Sequence, residues 1–345
     1  MQARFMTLPD IRRAAKQILP TSVWNFGAGG AETETTLRRN RRALQRLAIR
    51  QHVLVDVRHV DLTTTFLGMT LPMPIAIAPM GGLVLFHPQG DCEMVRGAGP
   101  TGTLAVVSGV TGWPVEEVAK EASGPLLFQL YHFGPRSWVQ ELLARVEASG
   151  YRGVCLTVDV QVYGRRERDL RQRFDPRAAM GNLAPNPRPP DPTYPARLTW
   201  DDVAWLREQL RVPFGLKGIM TAEDARRAVD AGVQIVWVSN HGGRQLDHAQ
   251  ATIDVLPEIV EAVDGRAEIV IDGGFSRGTD VIKALALGAK LVALGRTILW
   301  GLAAAGAAGV HRTLELLREE MTTTLALCGQ TSVRHLTPDL IRRVD

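Results

Sequence analysis

The 345-residue chain has no run of about 18 apolar residues, so no segment reads as a membrane-spanning helix. Cysteine is scarce. Cys92, Cys155 and Cys328 are widely scattered and form no CxxC pair. That spacing argues against a disulfide framework or a zinc site and suits a reducing, cytoplasmic setting. Cys155 lies in an apolar strand-like run and reads as a small core residue. Aromatic residues make up 6% of the chain and do not interleave with a basic stripe, so the net charge of +4 carries no nucleic-acid-binding pattern. The arginines fall in short clusters such as Arg38, Arg39, Arg41 and Arg42, which on a helix form a solvated face. The N-terminal MQARFMTLPDIRRAAKQILP is charged throughout and lacks the apolar centre of a signal peptide. The C-terminal IRRVD carries no obvious sorting tag.

What the chain does have is a hydrophobic fraction of 45% and a charged fraction of 22%, ordinary for a soluble globular protein. Its length fits either two average domains or one large α/β barrel. Short apolar runs recur at 73–78, 103–107, 126–130, 153–158, 214–217, 234–238, 268–271 and 291–294. Apolar residues dominate their middles, as strands buried on both faces require. Helical patterns separate them. TAEDARRAVDAG, at 221–232, carries a Thr cap, early acids and a closing Gly. Eight such units with no second block predict one (β/α)8 TIM barrel filling 1–345, with a mostly helical N-terminal extension over 1–70 covering one end. The Pro- and Gly-rich stretch 178–195 follows the fourth strand and reads equally as an active-site loop or a surface excursion.

The chemistry concentrates late in the chain. SNHGGRQLD, at 239–247, delivers a histidine, an arginine and a carboxylate to a strand's C-terminal end. IDGGFSRGTDVIKALALGAKLVALGR, at 271–296, reads as strand end, Gly-Gly turn, helix, strand and Gly-Arg stop. A base and a cation beside a phosphate-binding crevice predict a catalytic site.

Together with FGAGGAETETTL, PIAIAP, FQLY, LTVDVQVYGRRERD and LKGI, these motifs resemble the FMN-dependent 2-hydroxy acid oxidases and dehydrogenases. That family includes glycolate oxidase, lactate oxidase and monooxygenase, mandelate dehydrogenase and hydroxymandelate oxidase. The likeness runs from about Leu8 to the C-terminus with one major gap, a shortened loop at 178–195. The Gly-Gly half is shared by several flavin and phosphate-binding barrels, whereas SNHGGRQLD with TVD and GRRE is specific.

The resemblance implies FMN as cofactor and no metal. It makes His241 the base that takes a proton from the substrate and Asp159 the carboxylate that orients it. Arg244, Arg166 and Tyr131 would clamp the substrate carboxylate, with Phe26 beside them. Ala78, Pro79, Met80, Gly81, Ser108, Gln129, Thr157 and Ser239 would surround the flavin or its ribityl chain. Lys217 would lie near flavin N1 and O2, and Asp272 on the ribityl hydroxyls. Gly273, Gly274, Arg277, Gly295 and Arg296 would hold the phosphate. Outside these motifs each side chain has a plain structural reading: a strand-end histidine, a helix-capping aspartate, a surface arginine, a rim tyrosine.

Several positions depart from the family pattern. Phe26 stands where glycolate-oxidase-like members have a tyrosine, Val110 replaces a tryptophan, and Gly27 a tyrosine-like residue. The last two changes remove bulk near the site. Gly81 stands where many oxidases have alanine, and Ser276 where some members have arginine, with Arg277 next to it as a substitute. The implied activity is oxidation of an (S)-2-hydroxy acid to the 2-oxo acid, with a medium-sized or aryl substrate such as mandelate. The alternative is the same FMN chemistry on an amine or peptide-derived metabolite in a biosynthetic pathway. A flavin-binding protein without turnover is disfavoured by the intact His-Arg-Asp set. Oxygen, a quinone or a carrier protein stay open as electron acceptor, and the resemblance implies a homo-oligomer, commonly a tetramer.

Overall fold

The computed structural model describes residues 5–175 and 193–344. Three helices open it: α1 (Leu8–Ile18), α2 (Thr21–Ala28) and α3 (Thr35–Gln45). Thr7 starts α1 with a capping box closed by Asp10. The helical character of the extension ends at Gln45. Strand β1 (Leu47–Ile49) then pairs antiparallel with β12 (Ile341–Arg343), tying the two ends of the chain together. A hairpin follows, β2 (Thr64–Phe66) and β3 (Met69–Leu71), turning through Leu67 and Gly68 at φ +49° and +75°.

The eight expected apolar runs all become strands of one closed parallel barrel. They are β4 (Ile75–Ile77), β5 (Leu104–Ser108), β6 (Leu126–Leu130), β7 (Val154–Thr157), β8 (Phe214–Ile219), β9 (Ile235–Val238), β10 (Glu268–Ile271) and β11 (Leu291–Leu294). The last closes against the first through Val292↔Ile75, Ala293↔Ala76 and Leu294↔Ile77. Both faces of these strands are buried, which is why they read as continuous apolar runs rather than alternating ones. Leu104, Val106, Leu127, Cys155, Ile235, Trp237, Val270 and Leu291 fill the interior, and Cys155 is a core residue. Phe66 and Leu71 of the hairpin join that interior cluster. The (β/α)8 barrel is therefore as expected, but the extension does more than cover one end: its hairpin adds to the interior core while its helices face the loops at the opposite end, where the strands' C-termini open.

The helix Ala222–Asp230 starts at Thr221, whose side chain accepts from the Asp224 amide, and Gly232 follows it at φ +75°. The arginine cluster of α3 is only partly a solvated face. Arg39 donates to the Ala249 carbonyl, and Arg41 reaches Gly274 and Asp280, so two of the four fasten α3 to barrel loops. Of the stretch 178–195, residues 178–192 lie outside the described residues. Thr193 and Pro195, near the short turn Tyr194–Arg197, border the large cavity at the barrel mouth.

Candidate active site

After β9 the chain turns through three consecutive left-handed residues, His241, Gly242 and Gly243, at φ +56°, +62° and +76°. Gly243 admits no side chain, since a Cβ there would sit 2.5 Å from the Leu37 amide of α3. This turn presents His241 at the C-terminal mouth of the barrel. Two residues beyond β7, Asp159 Oδ1 lies 3.0 Å from His241 Nδ1. Burial raises the Asp159 carboxyl, but His241, Lys217 and the hydrogen bond outweigh it and hold it below its ordinary value. An ionised carboxylate only accepts, so Nδ1 carries the ring proton and Nε2 keeps its lone pair. Burial in turn pulls His241 below its ordinary 6.5, against the opposing pull of Asp159. The imidazole is neutral at pH 7, in the form a base requires.

Three guanidiniums, Arg166 buried and Arg244 and Arg296 half-buried, surround this pair. Arg244 Nη1 donates to the carbonyls of Phe26 (2.6 Å) and Gly29 (3.0 Å). Arg296 donates to the carbonyls of Gly27 (3.0 Å), Gly242 (3.0 Å) and Gly29 (2.8 Å). Arg166 donates to the Arg244 carbonyl at 3.4 Å and to the Tyr163 hydroxyl. Among the described residues none of the three has a carboxylate within ion-pair distance. Burial first, then mutual repulsion, pulls Arg244 well below its ordinary value and Arg296 down to about 10. Buried charge without a counter-charge is costly, so the cavity is built to receive anions. Arg244 and Arg166 lie over the Phe26 ring, 4.9 and 5.9 Å from its centroid. Phe26 packs against Phe86 and Phe174, at 6.2 and 5.8 Å, so the departure from tyrosine places an aromatic wall under the cations. Burial pushes the Tyr131 phenol up to about 12, leaving it protonated and able to donate.

A second charge group forms the floor. Lys217 Nζ donates to Ser239 Oγ at 2.9 Å and lies 3.4 Å from Asp272, which also accepts from Ser239 (2.8 Å) and Trp237 (3.0 Å). Burial disfavours the ammonium, yet Asp272 and Asp159 outweigh it and Lys217 stays charged. Past Asp272 come Gly273 and Gly274, at φ +103° and +87°, packed against Thr252 and Asn40 so closely that neither accepts a Cβ. The amides of Ser276 and Arg277 are taken by Asp280 at 3.0 Å each.

Many of these groups line one cavity of about 1740 Å³, larger than a single small-ligand pocket of roughly 300–1,000 Å³. His241, Arg244, Arg166, Tyr131 and Phe26 border it. So do Ala78, Pro79, Met80, Gly81, Lys217, Asp272, Gly273, Gly274, Arg277, Gly295 and Arg296. Ser108 and Thr157 end β5 and β7, Gln129 is the penultimate residue of β6, and Ser239 follows β9, in the shell beneath. Gln129 Nε2 and Thr157 Oγ1 are buried without a protein hydrogen-bond partner. Unpaired donors at the strand ends, a lysine, and a Gly-Gly turn beside Arg296 together suit a flavin mononucleotide: polar ring edge, ribityl chain and phosphate. A family model described as an FMN-dependent dehydrogenase matches residues 15–343.

The chain belongs to the FMN-dependent dehydrogenase family. It is 43% identical to the peroxisomal (S)-2-hydroxy-acid oxidase of Oryza sativa subsp. japonica, covering 95% of this chain and 93% of the relative. It is equally 43% identical to an L-lactate oxidase of Nostoc sp., covering 94% of each. Among solved structures, a soluble mutant of the membrane-associated (S)-mandelate dehydrogenase of Pseudomonas putida aligns with a TM-score of 0.94 at 35% identity, over 98% of this chain and 99% of that one. The enzyme is an FMN-dependent oxidoreductase of 2-hydroxy acids.

Two expectations for this FMN-dependent dehydrogenase are corrected by its geometry. The carboxylate of SNHGGRQLD, Asp247, is not delivered with His241 and Arg244. It accepts from the amides of Thr36 (2.7 Å) and Thr35 (3.2 Å) and from the Thr33 hydroxyl (2.8 Å), capping α3. Gly27 leaves no free space either. A Cβ there would meet Phe86 at 2.9 Å and Trp300 at 3.1 Å, so those rings have filled the room. Val110, by contrast, leans on Gly81, 3.1 Å from where an alanine Cβ would be. Arg277 borders the cavity with its guanidinium held by Glu320 at 2.6 Å. Asn40, Arg41 and Gln245 support the site in ways the sequence did not single out, although Gln245 lies within SNHGGRQLD and Arg41 in the arginine cluster. Among the described residues no helix is long and apolar enough to cross a membrane, and no cluster of His, Cys, Asp or Glu is placed to hold a metal.

Proposed function

We propose that this enzyme oxidises an (S)-2-hydroxy acid with an aryl or similarly bulky side chain, mandelate-like, to the 2-oxo acid. The observation that carries this reading is the stack of Arg244 and Arg166 on Phe26, within a cluster of phenylalanine rings beside His241. Such a wall favours an apolar substituent where a tyrosine hydroxyl would favour a small polar acid. The similarity to (S)-mandelate dehydrogenase supports the same choice.

In this reading Arg244, Arg166 and the Tyr131 hydroxyl bind and orient the substrate carboxylate. His241 Nε2 takes the hydroxyl proton, and Asp159 stabilises the imidazolium that results. FMN, when bound, supplies the two-electron acceptor for the α-carbon hydrogen. Lys217 and Asp272 would hold the flavin's polar edge and ribityl chain, and Gly273, Gly274, Gly295 and Arg296 its phosphate. Oxygen as final acceptor is supported by the oxidases among the relatives. The three buried free thiols support a cytoplasmic setting.

The test is anaerobic mixing of the holoenzyme with (S)-mandelate, L-lactate and glycolate, followed by steady-state kinetics with oxygen. Bleaching of the flavin band by all three, with kcat/KM for mandelate at least about tenfold above glycolate, supports the reading. A preference for glycolate or lactate overturns the aryl assignment. Failure of every simple acid, with flavin bound, turns the assignment to an amine or peptide-derived substrate.

A further inference from the structure

The two loops that carry the proposed chemistry come from different strands. Asp159 and Arg166 lie in the irregular segment between β7 and the helix Glu167–Arg171, and His241 and Arg244 in the turn after β9. The segment 158–166 has no ladder of its own, so its polar backbone groups need partners from elsewhere. One side chain supplies three of them and also meets the Arg166 guanidinium. Gln245 Nε2 donates to the carbonyls of Asp159 (3.2 Å) and Val162 (2.8 Å), and its Oε1 accepts from the Gly164 amide (3.2 Å) and from Arg166 Nη2 (3.4 Å). Both hydrogens of the amide and both lone pairs of its oxygen are used. The amide has one orientation only, because the flipped form would set oxygen against two carbonyls.

The loops touch directly at the same place. A Cβ on Gly164 would fall 2.4 Å from the Arg244 carbonyl and 2.9 Å from Gln245 Cα, so the glycine lets the two backbones meet. That same Arg244 carbonyl accepts from Arg166 Nε at 3.4 Å. Gln245 is not among the residues bordering the cavity, so it does not touch substrate or cofactor.

We propose that Gln245 is a positioning residue. Its side-chain amide locks the Asp159–Arg166 segment to the His241–Arg244 turn, setting at once the His241–Asp159 hydrogen bond and the spacing of the two guanidiniums that clamp the substrate carboxylate. The assignment rests on the proposed roles of these residues in 2-hydroxy acid oxidation. It makes the proton-accepting pair and the carboxylate clamp one mechanical unit, in which loosening one contact disturbs proton transfer and acid binding together.

The test uses Gln245→Leu, which removes all four hydrogen bonds at similar volume, and Gln245→Glu, which keeps the acceptor but loses both donors. Each is purified as holoenzyme and assayed with whichever 2-hydroxy acid the unaltered enzyme turns over fastest. Oxalate, a non-reacting dicarboxylate, reports clamp affinity through its perturbation of the flavin spectrum. For Gln245→Leu the expected result is normal FMN content, kcat lowered about tenfold or more, and oxalate bound about tenfold more weakly. The acid limb of the kcat/KM profile should also move to lower pH, because His241 loses part of the Asp159 interaction that raises its pKa. For Gln245→Glu, kcat should fall more than oxalate affinity, since the Arg166 contact survives and the Asp159 contact does not. A purely structural role would lower thermal stability or FMN content without moving the acid limb. Activity within about twofold of the unaltered enzyme in either variant overturns the proposal. Loss of FMN or of fold in both overturns it too, by assigning Gln245 to the scaffold. Failure of the unaltered enzyme to turn over any 2-hydroxy acid is a different result, and sinks the substrate reading instead.

Discussion

Asn40 of α3 and Asn240 of the turn after β9, 200 residues apart, exchange two side-chain hydrogen bonds of 2.9 and 2.8 Å. Both residues are buried, and Asn40 Oδ1 also accepts from the Thr252 amide. Gly273 and Gly274 pack against the same Asn40. One helix of the N-terminal extension thereby braces both halves of the site, the base-bearing turn and the Gly-Gly turn. The extension is a wall of the active site rather than an appendage.

The base and its partner should be visible in pH dependence. Burial leaves His241 below 6.5, so kcat/KM should already be near its plateau at pH 7, with the acid limb below that value. Asp159→Asn removes the anion that raises the ring, which shifts the limb further down. It also withdraws stabilisation of the imidazolium, and kcat should drop by roughly 10²–10⁴. Steady-state profiles from pH 4.5 to 9 check this. A limb above 6.5 in the unaltered enzyme argues against a buried, neutral His241 as the base.

Restoring the hydroxyl at position 26 should narrow the substrate preference. Phe26→Tyr adds a donor beside Arg244 and Arg166 worth about 1 kcal/mol, or roughly a fivefold lower KM for glycolate and lactate. FMN content should be unchanged, and the mandelate-to-glycolate ratio of kcat/KM should fall by a similar factor.

Arg41 reaches the Gly274 carbonyl at 3.3 Å and pairs with Asp280, while Ser276 stands where an arginine occurs in some relatives. Arg41→Ala should therefore raise the FMN dissociation constant roughly 5–20-fold while leaving riboflavin binding unaffected. Arg277→Ala should have the smaller effect, because Glu320 engages its guanidinium through both Nε and Nη2 whereas Asp280 engages Arg41 through Nη1 alone. Fluorescence titration of the apoprotein with both flavins separates these outcomes.

Asp247 carries stability rather than catalysis. Burial raises its carboxyl, but the Thr36 amide, the Thr33 hydroxyl and neighbouring amides outweigh it and depress the value strongly. A depressed carboxyl stabilises the fold above its unfolded value of about 3.9, and that contribution is lost as pH falls through and below it. Asp247→Ala should cost about 1–3 kcal/mol at pH 7, and the gap to the unaltered protein should narrow on acidification toward pH 3. Urea melts at both pH values measure it.

Much of this molecule was legible from local pattern. Strands buried on both faces must be apolar throughout, so the eight barrel strands appeared as eight runs within a residue or two of their observed ends. Residues at or just beyond the ends of such strands reach the same mouth in any barrel, and the resemblance of their motifs to the FMN-dependent family implied one site for His241, Asp159, Lys217 and Gly273 before the chain was folded. What stayed hidden was the identity of each side chain's partner. Within SNHGGRQLD nothing marks Asp247 as different in kind from His241, yet it turns to α3 because the open amides of Thr35 and Thr36 end up beside it. Gly27 promised space that Phe86 and Trp300 occupy, and Arg41 looked like one more solvated cation. Gln245 carried no period, cap or charge to mark it. The barrel follows from the order of residues because periodicity acts over a few positions, and the chemistry at its mouth was implied by the resemblance of short motifs to the FMN-dependent family. Which distant groups pair follows only from the folded chain, which brings Arg296 and Gly27, 269 residues apart, into hydrogen-bond range.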